Sequence, residues 1–148
     1  MMKRLTWLSL ILIVSLGWAG EKPVEVTVAK NPGCGCCSKW VNYMKNNGFD
    51  VRVDTTNSVV FYKSKYKISR ELSSCHTAVV EGYVIEGHVP AEDIRRLLKE
   101  KPDIRGLTVP GMVVGSPGME QGNRKNSYDV LAIKKDGSTY IYHSYKGN

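Results

Sequence analysis

Val24-Glu-Val-Thr-Val-Ala29 runs almost directly into Asn31-Pro-Gly-Cys-Gly-Cys-Cys-Ser-Lys-Trp40, and this join decides the fold. The first stretch alternates valine with polar residues and reads as a strand. The second puts three thiols, Cys34, Cys36 and Cys37, within four residues and then enters a helix over Cys37–Asn46. Trp40, Val41 and Met44 have the spacing of one buried helical face. Asn47-Gly48 closes that helix as a left-handed cap. Thiols between a strand end and a helix N-terminus lie where backbone N–H groups and the helix dipole favour the thiolate. The thiolate is both a nucleophile and a metal ligand, so thiol–disulfide chemistry and metal binding are both open.

Outward from this join, Phe49–Asp54 alternates in period two and reads as a second strand. The polar segment 55–70 carries Val59, Val60, Tyr62 and Tyr66 and suggests a short helix. Thr77–Val80 and Tyr83–Ile85, joined across Glu81-Gly82, form a tight hairpin. A helix over Pro90–Lys99 follows, with proline in its first turn and Glu92 and Asp93 near its positive end. Ile94, Leu97 and Leu98 make its inner face, and Pro102 ends it. From about Asp103 the chain is rich in Gly and Pro as far as Gly122. A hairpin follows, Tyr128–Lys134 with Thr139–His143, turned at Asp136-Gly137. Strand–helix–strand, then hairpin and helix, with cysteines after the first strand, is the order of an α/β, thioredoxin-like fold. The C-terminal Gly/Pro-rich loop and β-hairpin are an extension that has to fold back over that scaffold.

The N-terminus has a different purpose. Lys3 and Arg4 precede an apolar stretch, Leu5–Trp18, and Gly17-Trp-Ala19 offers small residues for cleavage. Residues 1–19 are therefore expected to be a signal peptide, and 20–148 a single metal-binding domain of about 129 residues. The stretch is short for a membrane anchor, so membrane contact is expected only through this segment. The expected compartment is the periplasm. Loss of the leader takes the formal charge from +7 to +5. The remaining positive charge is scattered, with no dense basic run interleaved with aromatics, so nucleic acid is not an expected partner.

A chain of this size buries an adequate core without staples. Three of its four cysteines fall in one tetrapeptide, where adjacent Cys36 and Cys37 rarely bond each other. That pattern suits a working site better than a disulfide framework. Several other sulfur and imidazole groups sit at turns: Cys75-His76 before the central hairpin, His88 after it, Met112 in Val109-Pro-Gly-Met112, and Met119 in Gly115-Ser-Pro-Gly-Met119. Soft thiolate and thioether ligands select Cu(I), and imidazole suits Zn and Cu(II). Copper is the first expectation and zinc the second, since three Cys with one His is a common structural zinc set. Met44 and Trp40 belong to the helical core.

These motifs together resemble the CopG-type family of small exported bacterial proteins: the Cys-x-Cys-Cys run, Ser74-Cys-His-Thr-Ala78, Tyr83-Val-Ile-Glu-Gly-His-Val-Pro-Ala91, and the two Pro-Gly-Met segments. The resemblance covers most of the mature chain, from about Val24 to Glu120, and is expected to continue through the C-terminal hairpin. It implies a thioredoxin-like fold, copper binding and a place in periplasmic copper resistance, with other copper-handling proteins as partners. It also implies that Cys34, Cys36 and Cys37 are the principal ligands or redox thiols, with Cys75 the fourth cysteine. His76, His88, Met112 and Met119 fall in matching motifs. Val113 stands where a Pro-Gly-Met-Pro form of the motif has proline, which alters loop stiffness and removes no ligand.

The leading expectation is a periplasmic copper-binding protein that holds Cu(I) through this cluster, with coupled thiol redox chemistry as an added capacity. A thiol–disulfide oxidoreductase using Cys34 and Cys37 is the enzymatic alternative. The extra cysteine inside the pair, and the lack of a proline before Thr77, count against it. A structural zinc module is the third reading.

Overall fold

The computed structural model describes residues 22–148, so the expected leader over 1–19 lies outside the described residues. Among those described, no helix is long and apolar enough to cross a membrane. The chain opens with strand β1 (Glu25–Lys30) and helix α1 (Gly35–Asn46). This helix begins earlier than its apolar stripe suggests, because Cys34 takes the N-cap position and its sulfur accepts the N–H of Cys37 at 3.3 Å. Cys36 and Cys37 therefore occupy the first helical turn. At the other end Gly48 adopts φ +81°. The N–H groups of Gly48 and Phe49 return to the carbonyls of Lys45 (2.9 Å) and Met44 (3.2 Å), the paired bonds of a Schellman cap.

Strand β2 (Asp50–Val53) is followed by the short helix α2 (Val59–Lys65), which Ser58 caps by accepting the Phe61 N–H at 3.1 Å. A 3-10 turn over Arg70–Leu72 leads into β3 (His76–Val80) and β4 (Tyr83–Glu86), joined through Glu81 and Gly82, both at positive φ. Helix α3 (Ala91–Glu100) has Pro90 at its N-cap, one step before the first turn where the sequence suggested it. Three more strands follow: β5 (Gly106–Thr108), β6 (Tyr128–Ile133) and β7 (Thr139–Tyr145). No local pattern signals β5, a three-residue strand inside the Gly/Pro-rich tail.

All strands join one mixed sheet in the order β2-β1-β3-β4-β5-β6-β7. Strands β1 and β2 are parallel, β3 is antiparallel to β1, and β4 is antiparallel to β3. Strand β5 then pairs parallel to β4 and antiparallel to β6, so the tail lengthens the sheet at its β4 edge. The extension does not simply lie across the scaffold: β5 joins it to the central strands, and the β6–β7 hairpin continues outward.

Alternation along the strands separates two faces. Val26, Val28, Ala78, Val80, Ile85, Leu107, Val130 and Ala132 join Trp40, Val41 and Met44 of α1 and Ile94 and Leu97 of α3 in one apolar cluster. Helices α1 and α3 thus cover the same face. Thr77 and Glu86 point to the other, where Lys63 of α2 meets them. The register pairs Lys30 with His76, which brings the start of β3 beside the start of the cysteine loop.

The Trp40 indole N–H donates to the Val89 carbonyl at 3.0 Å in the core. Trp40→Phe removes that donor and leaves a buried carbonyl and a void. It should lower unfolding free energy by about 1–3 kcal/mol, measured by denaturant titration of the metal-free protein.

Candidate metal centre

Four sulfurs and two imidazoles converge where the end of β1, the N-terminus of α1 and the start of β3 meet. Cys34 and Cys37 are joined by a disulfide, with Cα atoms 5.4 Å apart, while Cys36 and Cys75 are free thiols. The Cys36 sulfur lies 3.5 Å from that of Cys34 and 3.7 Å from that of Cys75. Cys37 is fully buried, and the other three are half-buried. Ligand atoms of all four cysteines fall within 4.8 Å of one another, and so do those of Cys75, His76 and His88. The two sets share Cys75.

The hydrogen-bond chain around Cys75 fixes where its protons sit. His88 Nδ1 lies 2.8 Å from the Pro117 carbonyl, which can only accept. Nδ1 therefore carries the proton, and His88 Nε2 turns a bare lone pair to the Cys75 sulfur at 3.1 Å. The Cys75 S–H donates into that lone pair. His76 Nδ1, 3.3 Å from the same sulfur, then supplies an N–H to it. His76 Nε2 is left buried with no hydrogen-bond partner among the described residues. Buried polar atoms are nearly always paired, so this orphaned lone pair asks for a partner that the protein itself does not provide.

Electrostatics keep the site neutral until something positive enters. Burial holds the His76 imidazole well below its usual range, and the neighbouring His88 adds to the effect. Burial also lowers His88, against the Pro117 carbonyl, which pulls the other way. Burial, helped by the hydrogen bond and charge of Cys36, pushes the Cys75 thiol up to about 11. A metal-free site thus presents neutral imidazoles and a protonated thiol. A soft cation would displace the thiol proton and meet two neutral imidazoles, each with one lone pair to offer, at Nε2 of His88 and Nε2 of His76. Sulfur with neutral imidazole suits a soft or borderline transition metal, and the orphaned nitrogen fits such an ion.

The segment after β5 forms the rim. Gly111 is tied down at both backbone groups, its N–H to the Ser73 carbonyl at 3.0 Å and its carbonyl by the Ser74 hydroxyl. Met112 beside it is 58% exposed. Farther on, Gly118 presses against α1: a Cβ there would stand 2.8 Å from the Trp40 nitrogen and 2.9 Å from the Cys36 carbonyl. That close approach delivers the Pro117 carbonyl to His88. Met119 follows in the same turn, half-buried, its N–H on the Ser116 carbonyl at 2.8 Å. The structure brings Cys34, Cys36, Cys37, Cys75, His76 and His88 into one cluster. It places Met112 and Met119 on the bordering loop, where neither thioether accepts a hydrogen bond within the cluster.

Sequence reasoning missed three contributors. The Pro117 carbonyl carries no side-chain signal. Trp40, read as core, also packs on His76 with ring centroids 4.6 Å apart. Glu86 is a fully buried carboxylate beside the site. Its signal was an acid ending the otherwise apolar Tyr83-Val-Ile85 strand.

A family model described as a protein of unknown function, DUF411, matches residues 72–119, which hold Cys75, both site histidines and both loop methionines. Two solved structures of a copper resistance protein CopG, forms 1 and 2, are similar over nearly the whole described chain. Form 1 is 39% identical with a TM-score of 0.79, covering 84% of this chain and 99% of that one. The chain belongs to the CopG family. Form 2 is likewise 39% identical, with a TM-score of 0.76 over 83% and 98% of the two chains. No curated protein matches.

In this CopG-family chain the lowered histidines carry a pH signature. Their folded-state values lie below the unfolded value of about 6.5, so the unfolded chain binds more protons once the pH drops beneath that point. The full stability is present above about pH 6.5 and is lost as pH falls. Each imidazole held neutral contributes a slope of up to about 1.4 kcal/mol per pH unit. Denaturant titrations of metal-free protein between pH 7.5 and about 5 should show this decline, and His76→Asn should flatten it.

Proposed function

We propose that the protein is an exported copper-binding protein of copper resistance. It holds Cu(I) through Cys34, Cys36, Cys37 and Cys75, with His76 and His88 completing the donor set. The observation that carries this reading is the gathering of four sulfurs, and of two imidazoles about the Cys75 sulfur they share, with one buried imidazole nitrogen left unpartnered among the described residues. The copper resistance proteins to which the chain is similar support the choice of metal. Met112 and Met119 belong to the loop that rims the site and are the candidate thioether ligands. The leader over 1–19 directs the chain to the periplasm, where other copper-handling proteins deliver or receive the ion.

Copper here is cargo, and the protein's own residues set the terms of its capture. With the Cys34–Cys37 disulfide closed, the site offers two thiols. An external dithiol reductant, itself oxidised to a disulfide, supplies the two electrons and two protons that open the bond and raise the number to four. Thiol redox state is thereby coupled to capacity for a soft ion. Pro117 holds His88 in the tautomer that offers Nε2, and the first turn of α1 aims backbone N–H groups and the positive dipole end at the cysteine thiolates. The disulfide at a helix N-terminus also supports a second reading, a thiol–disulfide oxidoreductase working through Cys34 and Cys37.

Anaerobic Cu(I) titration of the reduced protein against a chromophoric chelator separates these readings. Wild-type protein is expected to hold more than one copper per chain and to protect its thiols from alkylation. The Cys36→Ser/Cys37→Ser double variant should lose that binding, and undiminished binding by it would sink the proposal. Ready reduction of insulin disulfides by metal-free protein that refuses Cu(I) would favour the oxidoreductase. Zinc retained in preference to copper would favour a structural zinc site.

A further inference from the structure

Glu86 is a carboxylate with no exposed surface, and it lies outside the donor set. It ends β4, opposite Thr77 of β3, on the sheet face away from α1. Taking an ionised carboxylate out of water demands pairing and full hydrogen bonding. Glu86 has both. Its Oε1 accepts the Ser74 backbone N–H at 2.6 Å and pairs with the Lys63 ammonium; its Oε2 accepts the Thr77 hydroxyl at 2.6 Å. Lys63 also donates to the Thr77 hydroxyl oxygen at 3.3 Å.

The placement of these donors is informative. Ser74 and Thr77 immediately bracket Cys75-His76, so one carboxylate grips the chain on both sides of two site residues. The third, His88, follows Glu86 by only Gly87, whose N–H bonds the His76 carbonyl at 3.0 Å. Ser74 further holds the Met112 loop through its hydroxyl bond to the Gly111 carbonyl. Cys75, His76, His88 and the loop that rims them all hang from this one buried carboxylate and its half-buried lysine.

We propose that Glu86, with Lys63 as its counter-ion, is a positioning residue. It fixes the Ser74–Cys75 backbone so that the Cys75 sulfur stands between Cys36 and His88. It touches neither the thiols nor the ion they hold. Such outer partners of metal ligands commonly change metal affinity 10–100-fold when removed. The copper half of the test rests on the function proposed above; the geometric half does not.

The geometric readout is cross-linking of Cys36 to Cys75 by a short bifunctional thiol reagent, in metal-free protein with the Cys34–Cys37 disulfide intact. Wild-type protein, with these sulfurs 3.7 Å apart, should cross-link readily. Glu86→Ala should cross-link at least about tenfold more slowly and, once reduced, bind Cu(I) about 10–100-fold more weakly by chelator competition. Should that variant fail to fold, Glu86→Gln, nearly isosteric but without the charge, is read in the same way. Asp93→Asn is the control, since it disrupts another buried carboxylate, hydrogen-bonded to His143 and Tyr145. It should lower thermal stability while leaving both readouts within about twofold. A folded Glu86 variant that matches wild type in both readouts overturns the proposal, as does a control that loses both in parallel with it. If wild-type protein binds no Cu(I), the proposed function fails, and the cross-linking rate alone decides the role of Glu86.

Discussion

Everything about this site depends on bringing one sulfur, that of Cys75, within hydrogen-bonding reach of two other segments of the chain while it also meets its own neighbour. It stands 3.7 Å from Cys36 on α1, 3.1 Å from His88 beyond β4 and 3.3 Å from its own neighbour His76. The antiparallel pairing of β1 with β3 sets Lys30 opposite His76, so the cysteine loop and the start of β3 lie side by side. A slip of one residue in that pairing would turn His76 to the opposite face, away from Trp40. The core and the site therefore share one register.

The polar groups gathered here carry a cost that the fold has to meet. His76, Thr77, Glu86 and His88 are buried without residual exposure. The imidazoles meet this cost by staying neutral, and Glu86 meets it with Lys63, Thr77 and the Ser74 amide. Of the site's nitrogens, His76 Nε2 is left without a partner among the described residues. The expected loss of stability at acid pH and the fit to a soft cation have the same origin, since both follow from keeping the second proton off buried imidazoles.

The C-terminal extension serves the same end by a longer route. Its β5 strand enters the sheet beside β4, and the segment between β5 and β6 carries Pro117 to His88. The hairpin beyond is fastened to α3, where Asp93 accepts bonds from His143 (2.8 Å) and Tyr145 (2.7 Å), and the Tyr145 ring stacks on Tyr128. Asp93 was read from the sequence as an acid near a helix N-terminus. That reading is correct for its position and silent on its burial, because nothing local marks a distant hairpin as its partner.

Local signals were sufficient for much of this molecule. Alternation in 24–29 and 49–54, the apolar stripe of Trp40, Val41 and Met44, the Asn47-Gly48 stop and the Glu81-Gly82 turn each report a short-range preference of the backbone, and each corresponds to an element of the structure. The cysteines announced themselves by crowding, and the family motifs extended the candidate set to the histidines and methionines. Strand β5 escaped because three buried residues have no period to read, and its existence is owed to the neighbouring strand β4. The roles of Glu86 and the Pro117 carbonyl escaped for the same reason. By itself the sequence determined which chemical groups are present and which local elements carry them, since those depend on residues close along the chain. Only the tertiary structure decided which sulfur meets which imidazole, where each proton rests and which carboxylate holds them in place. Those are matters of distance between segments up to 39 residues apart, and burial sets their energies.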